Sequence, residues 1–183
     1  MRFHRTPLAE VLLVEPEPQV DERGLFARLF DADRFRAEGL PVDFVQASTS
    51  YNKHCGTLRG MHFQADPHSE AKLVRCTTGA VYDVVADIRP NSPQFGRWHA
   101  VELSAENRLT LYVPPGHAHG FQTLTDDAEV HYQMTVAYLA QASRGFAWND
   151  PDVGIAWPMA PTVISAKDRA LPRLRVAALN EAL

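Results

Sequence analysis

Cysteine is nearly missing from this chain: Cys55 and Cys76 are the only two in 183 residues. Their spacing matches neither a disulfide framework nor a zinc knuckle, which makes a reducing compartment the simpler expectation. Long apolar runs are missing too. No stretch approaches the roughly 20 residues that cross a bilayer as a helix. The opening MRFHRTPLAEVLLVEPEP is broken by Glu10 and shows no small-residue cleavage pattern, so it does not read as a signal peptide. Nor is there an excess of positive charge. Lys and Arg number 18 against 22 Asp and Glu, a formal net charge of -4, and without a basic field nonspecific nucleic-acid binding lacks its driving force. Any anionic ligand must then be held by local cations. A cytoplasmic protein with neither a nucleic-acid nor a membrane partner is expected.

Repeats and low-complexity linkers are likewise missing. What remains is ordinary: 45% hydrophobic and 22% charged residues, near the averages of soluble globular proteins. The length suits one domain, taken here as 1–183, with a real core.

One early helix is legible. Asp31 can cap ADRFRAE, Phe35 supplies an apolar contact, and Gly39 followed by Pro41 closes it. Strand signals then take over. EVHYQMTVAY puts Val130, Tyr132, Met134 and Val136 on one face and His131, Gln133 and Thr135 on the other, the period of a sheet with two distinct sides. KLVRC, AVYDVVADI, HAVELS and LTLYV repeat the theme, separated by the turn-forming TTG, RPNSPQFG, SAEN and VPPG. Short strands with Gly-Pro turns predict an all-β jelly-roll barrel around one small-molecule cavity, with a few short helices. One of those helices is expected in the terminal LPRLRVAALNEAL.

Five segments carry chemistry-bearing side chains. GTLRGMHFQ places Arg59 and His62 around a glycine. Residues three apart on a regular strand face opposite sides, so both can line a cavity only if Gly60 sits at a bulge or twist. Otherwise His62 is a hydrogen-bonded histidine of the core or rim. Burial of an unpaired Arg59 would be costly, and an anionic ligand would supply its partner. Lys72 shares a face with Val74 and Cys76, which marks either a sheet edge, a snorkelling side chain or a cavity lysine. Tyr132 reads as a core aromatic with a hydroxyl partner or as a cavity phenol. PPGHAHGF delivers His117 and His119 two apart, and with His62 they could form a three-histidine metal site. Phe63 and Gln64 stand where a metal-binding barrel of this type supplies a further ligand, which argues against metal. Asp168 in SAKD is by default a turn carboxylate. It is also the residue type that fixes a histidine's tautomer and stabilises its protonated form.

Taken together, DERGLFARLF, FVQASTS, GTLRGMHFQ, AKLV, YDVVADIRPNSPQFGRW, PPGHAHGF, EVHYQ, WNDPDVGIAWP and SAKD resemble the dTDP-4-dehydrorhamnose 3,5-epimerase family over nearly the whole chain. The resemblance implies a cupin-type homodimer without metal or other cofactor, in which residues 1–45 contribute to the partner. It implies epimerisation at C3 and/or C5 of a nucleotide-linked 4-keto-6-deoxyhexose, in deoxysugar or cell-surface polysaccharide biosynthesis. It also implies roles. His62, oriented by Asp168, would be the base, Lys72 would stabilise the enolate oxygen, and Tyr132 would return a proton from the opposite face. Arg23, Arg59 and His119 would hold diphosphate and sugar, Arg23 from the neighbouring subunit; Gln46 and Ser48 would lie near the base of the nucleotide. Phe26, Arg28, Tyr138, Ser143 and Lys167 would complete the substrate contacts.

The chain departs from the family at Arg28 and Ser143, where glutamate is usual, at Ser48, where asparagine is usual, and at His117, which replaces an aromatic residue. A guanidinium that only donates cannot replace a carboxylate that only accepts, so these changes bear on nucleotide recognition. A single-carbon epimerase acting on a cytidine- or guanosine-linked sugar is therefore an alternative. A metal-dependent cupin and a noncatalytic sugar-binding barrel are the readings from other classes.

Overall fold

Alternation of apolar and polar residues makes the strands, and the two faces of each strand meet different surroundings. The structure, a computed structural model, describes residues 1–175. In chain order its elements are β1 (Arg2–Arg5), β2 (Leu12–Glu15), β3 (Gln19–Asp21), β4 (Gly24–Phe26), α1 (Ala32–Ala37), β5 (Gln46–Asn52), β6 (Thr57–Gln64) and β7 (Lys72–Thr78). Then follow β8 (Ala80–Asp87), β9 (Trp98–Ser104), β10 (Thr110–Val113), β11 (His117–Thr123), β12 (Ala128–Met134), β13 (Ser143–Gly145), β14 (Val163–Ile164) and α2 (Ala166–Arg169).

One sheet runs β1-β2-β10-β7-β12-β5 and the other β13-β6-β11-β8-β9. Their pairings are antiparallel, and β14 joins the second sheet parallel to β6. The sheets face each other across a core to which both contribute: Val74, Cys76, Leu111 and Val130 from the first, and Val81, Val85, Leu103 and Phe121 from the second. This is the expected jelly-roll barrel. The outer face of the second sheet is covered by the chain after β13, where Phe146, Val153 and Leu174 pack on Met61, Phe63, Val84 and Ala118. The outer face of the first receives α1, whose Phe35 is fully buried with Leu12, Leu73 and Tyr112. Asp31 caps α1 by accepting from the backbone N–H of Asp33 and Arg34, and Gly39 leaves the helix at φ +74, the left-handed turn that glycine takes without strain.

Two expectations need correction. The strand through EVHYQMTVAY stops at Met134, because Thr135 turns the chain away: its N–H donates to Ala71 O at 3.1 Å and its hydroxyl accepts from Ala71 N–H at 2.9 Å. Val136 therefore lies off the strand. Lys72 is not on an edge: β7 lies between β10 and β12, with Lys72 opposite Val113 and Met134. The terminal helix expected over 171–183 falls largely outside the described residues. Among the described residues no helix is long and apolar enough to cross a membrane.

Candidate active site

Between the sheets, towards one end of the barrel, a cavity of about 670 Å³ opens. Its first wall is β6. Arg59 and His62 both line the cavity, although regular pleating would send them to opposite sides. The β6–β11 register shifts between the His119–His62 and Phe121–Arg59 pairs, and Gly60 sits inside the shift. Its φ is +135, and an added Cβ would lie 2.6 Å from the Gly120 Cα. Only a glycine permits this backbone approach, which turns both polar side chains inward.

His62 meets its carboxylate through a local device. The parallel pairing of β14, with Val163 opposite Thr57 and Ile164 opposite Leu58, lays the following turn beside β6. Ser165 then caps α2, accepting from the Asp168 N–H at 3.0 Å, the Ser-x-x-Asp arrangement of a helix start. The cap aims Asp168 at the imidazole, and Asp168 Oδ1 lies 2.7 Å from His62 Nε2. Among the described residues nothing bonds the other ring nitrogen. Burial opposes ionisation of Asp168, but the hydrogen bond and charge of His62 and the N–H of Gly60 outweigh it, so its pKa falls below the ordinary carboxylate value.

The facing wall comes from the other sheet. Lys72 of β7, Tyr132 and Met134 of β12, and Gln46, Ser48 and Ser50 of β5 line it, with Tyr132 in register with Ser48 and Val74. Lys72 Nζ lies 2.9 Å from Glu70 Oε1. His119 of β11 adds a second histidine–carboxylate pair, its Nε2 lying 2.9 Å from both oxygens of Asp83. Arg59 donates from Nε to Asn52 Oδ1 at 2.7 Å, and Asn52 is itself buried. Gln46 Oε1 accepts from the Tyr138 N–H and Gln64 Oε1 from the Leu139 N–H, each at 2.7 Å, so two cavity amides hold the loop that carries Tyr138. Ser143 and Lys167 complete the lining.

The structure thus gathers His62, Asp168, Lys72, Tyr132, Arg59, His119, Gln46, Ser48, Tyr138, Ser143 and Lys167 around one cavity. Arg23, Phe26 and Arg28 do not join them. They lie on or just after the β3–β4 hairpin, where Arg23 pairs with Asp21 at 2.6 Å and Arg28 with Asp31 at 2.9 Å. His117 also stays out of the cavity: it is buried, with Nδ1 3.2 Å from Pro115 O and Nε2 4.0 Å from Asp87. The three-histidine site is therefore not assembled, and no group of three or more His, Cys, Asp or Glu side chains is placed to hold a metal among the described residues. Asp83, Asn52 and Glu70 were missed in the sequence. Only the alternation of β8 hinted at Asp83, an acid in an apolar strand.

A basic imidazole on one wall, a phenol and an ammonium on the other, and cations at Arg59 and Lys167 can move protons on an anionic substrate. Fold and site define a cupin-type barrel enzyme that works by acid–base chemistry. The family model described as dTDP-4-dehydrorhamnose 3,5-epimerase matches residues 5–176, and the chain belongs to that family. It is 45% identical over 175 residues to the dTDP-4-dehydrorhamnose 3,5-epimerase of Sinorhizobium fredii, covering 95% of this chain and 90% of that one. Among solved structures, the Mycobacterium tuberculosis epimerase superposes with a TM-score of 0.94 at 37% identity, over 100% of this chain and 93% of that one. The Legionella pneumophila dTDP-6-deoxy-D-glucose-3,5-epimerase, solved in complex with dTDP-4-keto-L-rhamnose, gives 0.93 at 36% identity, over 98% and 96%.

Proposed function

We propose that this chain converts dTDP-4-dehydro-6-deoxy-D-glucose to dTDP-4-dehydro-L-rhamnose by inverting C3 and C5, the carbons flanking the C4 ketone. The observation that carries this reading is the cavity itself, with His62 on one sheet paired to Asp168 of α2 and Tyr132 with Lys72 on the sheet opposite. The ketone acidifies its neighbouring C–H bonds. The His62 nitrogen not engaged by Asp168 takes the proton, and the C–H electron pair moves into an enolate whose charge rests on the former carbonyl oxygen. The ionised Asp168 stabilises the imidazolium that forms. A Lys72 ammonium in a water-poor cavity stabilises the enolate oxygen more than the neutral ketone, and so lowers the barrier rather than merely binding substrate. Tyr132 then gives its hydroxyl proton to the other face of the same carbon, and solvent resets both groups. No electron leaves the substrate, so the reaction needs no redox partner.

Arg59, Lys167 and His119 serve the diphosphate and sugar, and Gln46, Ser48, Tyr138 and Ser143 the nucleoside side. The β3–β4 hairpin exposes Val20 at 75% and Phe26 at 68%. A two-stranded hairpin is marginal by itself, and these apolar tips suit a second copy of the chain. In a homodimer the hairpin would carry Arg23, Phe26 and Arg28 to the partner's cavity. The product would feed deoxysugar and surface-polysaccharide assembly in the cytoplasm.

The deciding experiment is incubation with dTDP-4-dehydro-6-deoxy-D-glucose in deuterated water, read by NMR and mass at each carbon. Wild type should incorporate deuterium at C3 and C5 and yield the L-sugar. His62→Ala should lose incorporation at both carbons, by a factor of about 100 or more, while still binding dTDP. Normal exchange in His62→Ala would remove the assigned base.

A further inference from the structure

Glu70 stands in the cavity wall without a part in these proton transfers. Its side chain is 4% exposed and that of Lys72 12%, and Oε1 lies 2.9 Å from Lys72 Nζ. Its second oxygen, Oε2, is buried and has no hydrogen-bond partner among the described residues. Such a carboxylate is not explained by stability. Taking two charges out of water offsets the Coulomb attraction between them, and an unsatisfied buried acceptor costs about 1–3 kcal/mol more. The polar contact Glu70 does make is with the one lysine whose ammonium must meet the substrate's developing oxyanion.

The backbone beneath the pair is clamped. Ala71, between the two residues, donates to Thr135 Oγ1 at 2.9 Å and accepts from Thr135 N–H at 3.1 Å. Glu70 therefore starts from a fixed point, whereas a free lysine stem samples several rotamers and carries a point charge with three rotatable donors. The ammonium thus has Glu70 on one side while Lys72 lines the cavity.

We infer that Glu70 is a positioning residue that holds the Lys72 ammonium where the enolate oxygen forms. Within the epimerase reading, on which this role depends, the requirement is an oxygen beside the ammonium, which Oε1 supplies at 2.9 Å. An amide at this position meets that requirement; a hydrocarbon of the same length does not.

Steady-state kinetics, solvent-deuterium incorporation and dTDP affinity, measured on wild type, Glu70→Met, Glu70→Gln, Lys72→Gln and the Glu70→Met/Lys72→Gln double variant, test this. Glu70→Met should lower kcat by about 10- to 100-fold, the scale of a misplaced oxyanion donor. Its KM and dTDP affinity should stay within about threefold of wild type, because no uniform binding is lost. Glu70→Gln should recover about tenfold or more of the lost kcat. In the Lys72→Gln background Glu70→Met should have no further effect, since its influence passes through the ammonium. A Glu70→Met variant with wild-type kcat, a Glu70→Gln variant no better than Glu70→Met, or an equal loss in the Lys72→Gln background would each overturn the role. Should Glu70→Met fail to bind dTDP, Glu70→Asp, which keeps the charge but draws the acceptor back by one methylene, must show the loss of kcat instead. Absence of deuterium incorporation by wild type would defeat the epimerase reading itself. Normal incorporation by both wild type and Glu70→Met would remove Glu70 alone.

Discussion

At the scale of single residues, four of the site's side chains each sit against a second one. Asp168 holds His62, Asp83 holds His119, Asn52 holds Arg59, and Glu70 holds Lys72. Each pairing fixes a ring or a charge before substrate arrives, so that little reorganisation is left for the transition state. The Asp168 carboxylate is the sharpest case, because its value lies in both orientation and charge. Asp168→Asn keeps the shape but can donate as well as accept, which permits the wrong imidazole tautomer and removes the charge facing the imidazolium. Its kcat should fall by about 100-fold or more, with KM little changed. Steady-state assays on the folded variant check this, and a kcat within a few-fold of wild type would mean that His62 works unaided.

At the scale of elements, two irregularities carry the site. The β6–β11 register shift at Gly60 brings Arg59 and His62 to one side, and the short parallel strand β14 delivers the capped α2 to them. A third element, the β3–β4 hairpin, stands away from its own cavity with Arg23 at its turn. If it completes the partner's site, Arg23→Ala should raise KM about tenfold or more, the worth of a charge-assisted hydrogen bond, with kcat near wild type. Mixed dimers give the stricter measurement. Arg23→Ala and His62→Ala chains, each impaired alone, should regain activity when combined, because one site of the mixed dimer then has both groups native. A chain that light scattering shows to be monomeric, or mixtures that regain nothing, would leave the hairpin without this role.

At the scale of the whole molecule, buried ionisable groups inside and outside the cavity shape the response to acid. His117 is buried at the start of β11, its Nε2 unpartnered among the described residues, and burial lowers its pKa, only partly offset by the Pro115 carbonyl and Asp87. Asp87 is also fully buried. Burial opposes its ionisation, but Arg89, Ser92 and the Arg89 N–H overcome this and hold its pKa low. The signs agree. An unfolded histidine binds a proton near pH 6.5 that folded His117 refuses, so stability declines as pH falls below about 6.5. Folded Asp87 and Asp168 stay ionised below the unfolded value of about 3.9, and their contribution is lost as pH falls through their lowered folded values. His117→Phe, which removes the titrating ring without emptying its space, should flatten the decline between pH 7 and 5 by up to about 1.4 kcal/mol per pH unit. Urea unfolding at stepped pH measures it, and an unchanged slope would show that His117 titrates alike in both states.

Much of this protein was legible one residue at a time. Strand alternation placed Lys72, Val74 and Cys76 on one face, the Asp31 cap and Gly39 bounded α1, and a glycine between Arg59 and His62 offered the bulge needed if both were to line a cavity. These are local rules, set by pleat, cap and φ, and they act within a few residues of where they are read. The strand end at Met134 was not legible, because a tertiary pair of hydrogen bonds between Thr135 and Ala71 decides it. Nor was the partnership of His119 with Asp83, 36 residues apart, and that of His62 with Asp168, 106 residues apart, was implied only by the family resemblance and not by any local pattern. Sequence alone determined which side chains could do proton chemistry and which face of each strand they would take. Only the closing of two sheets over a shared core decided which of them meet, because distance across a barrel depends on register and curvature that no local pattern contains.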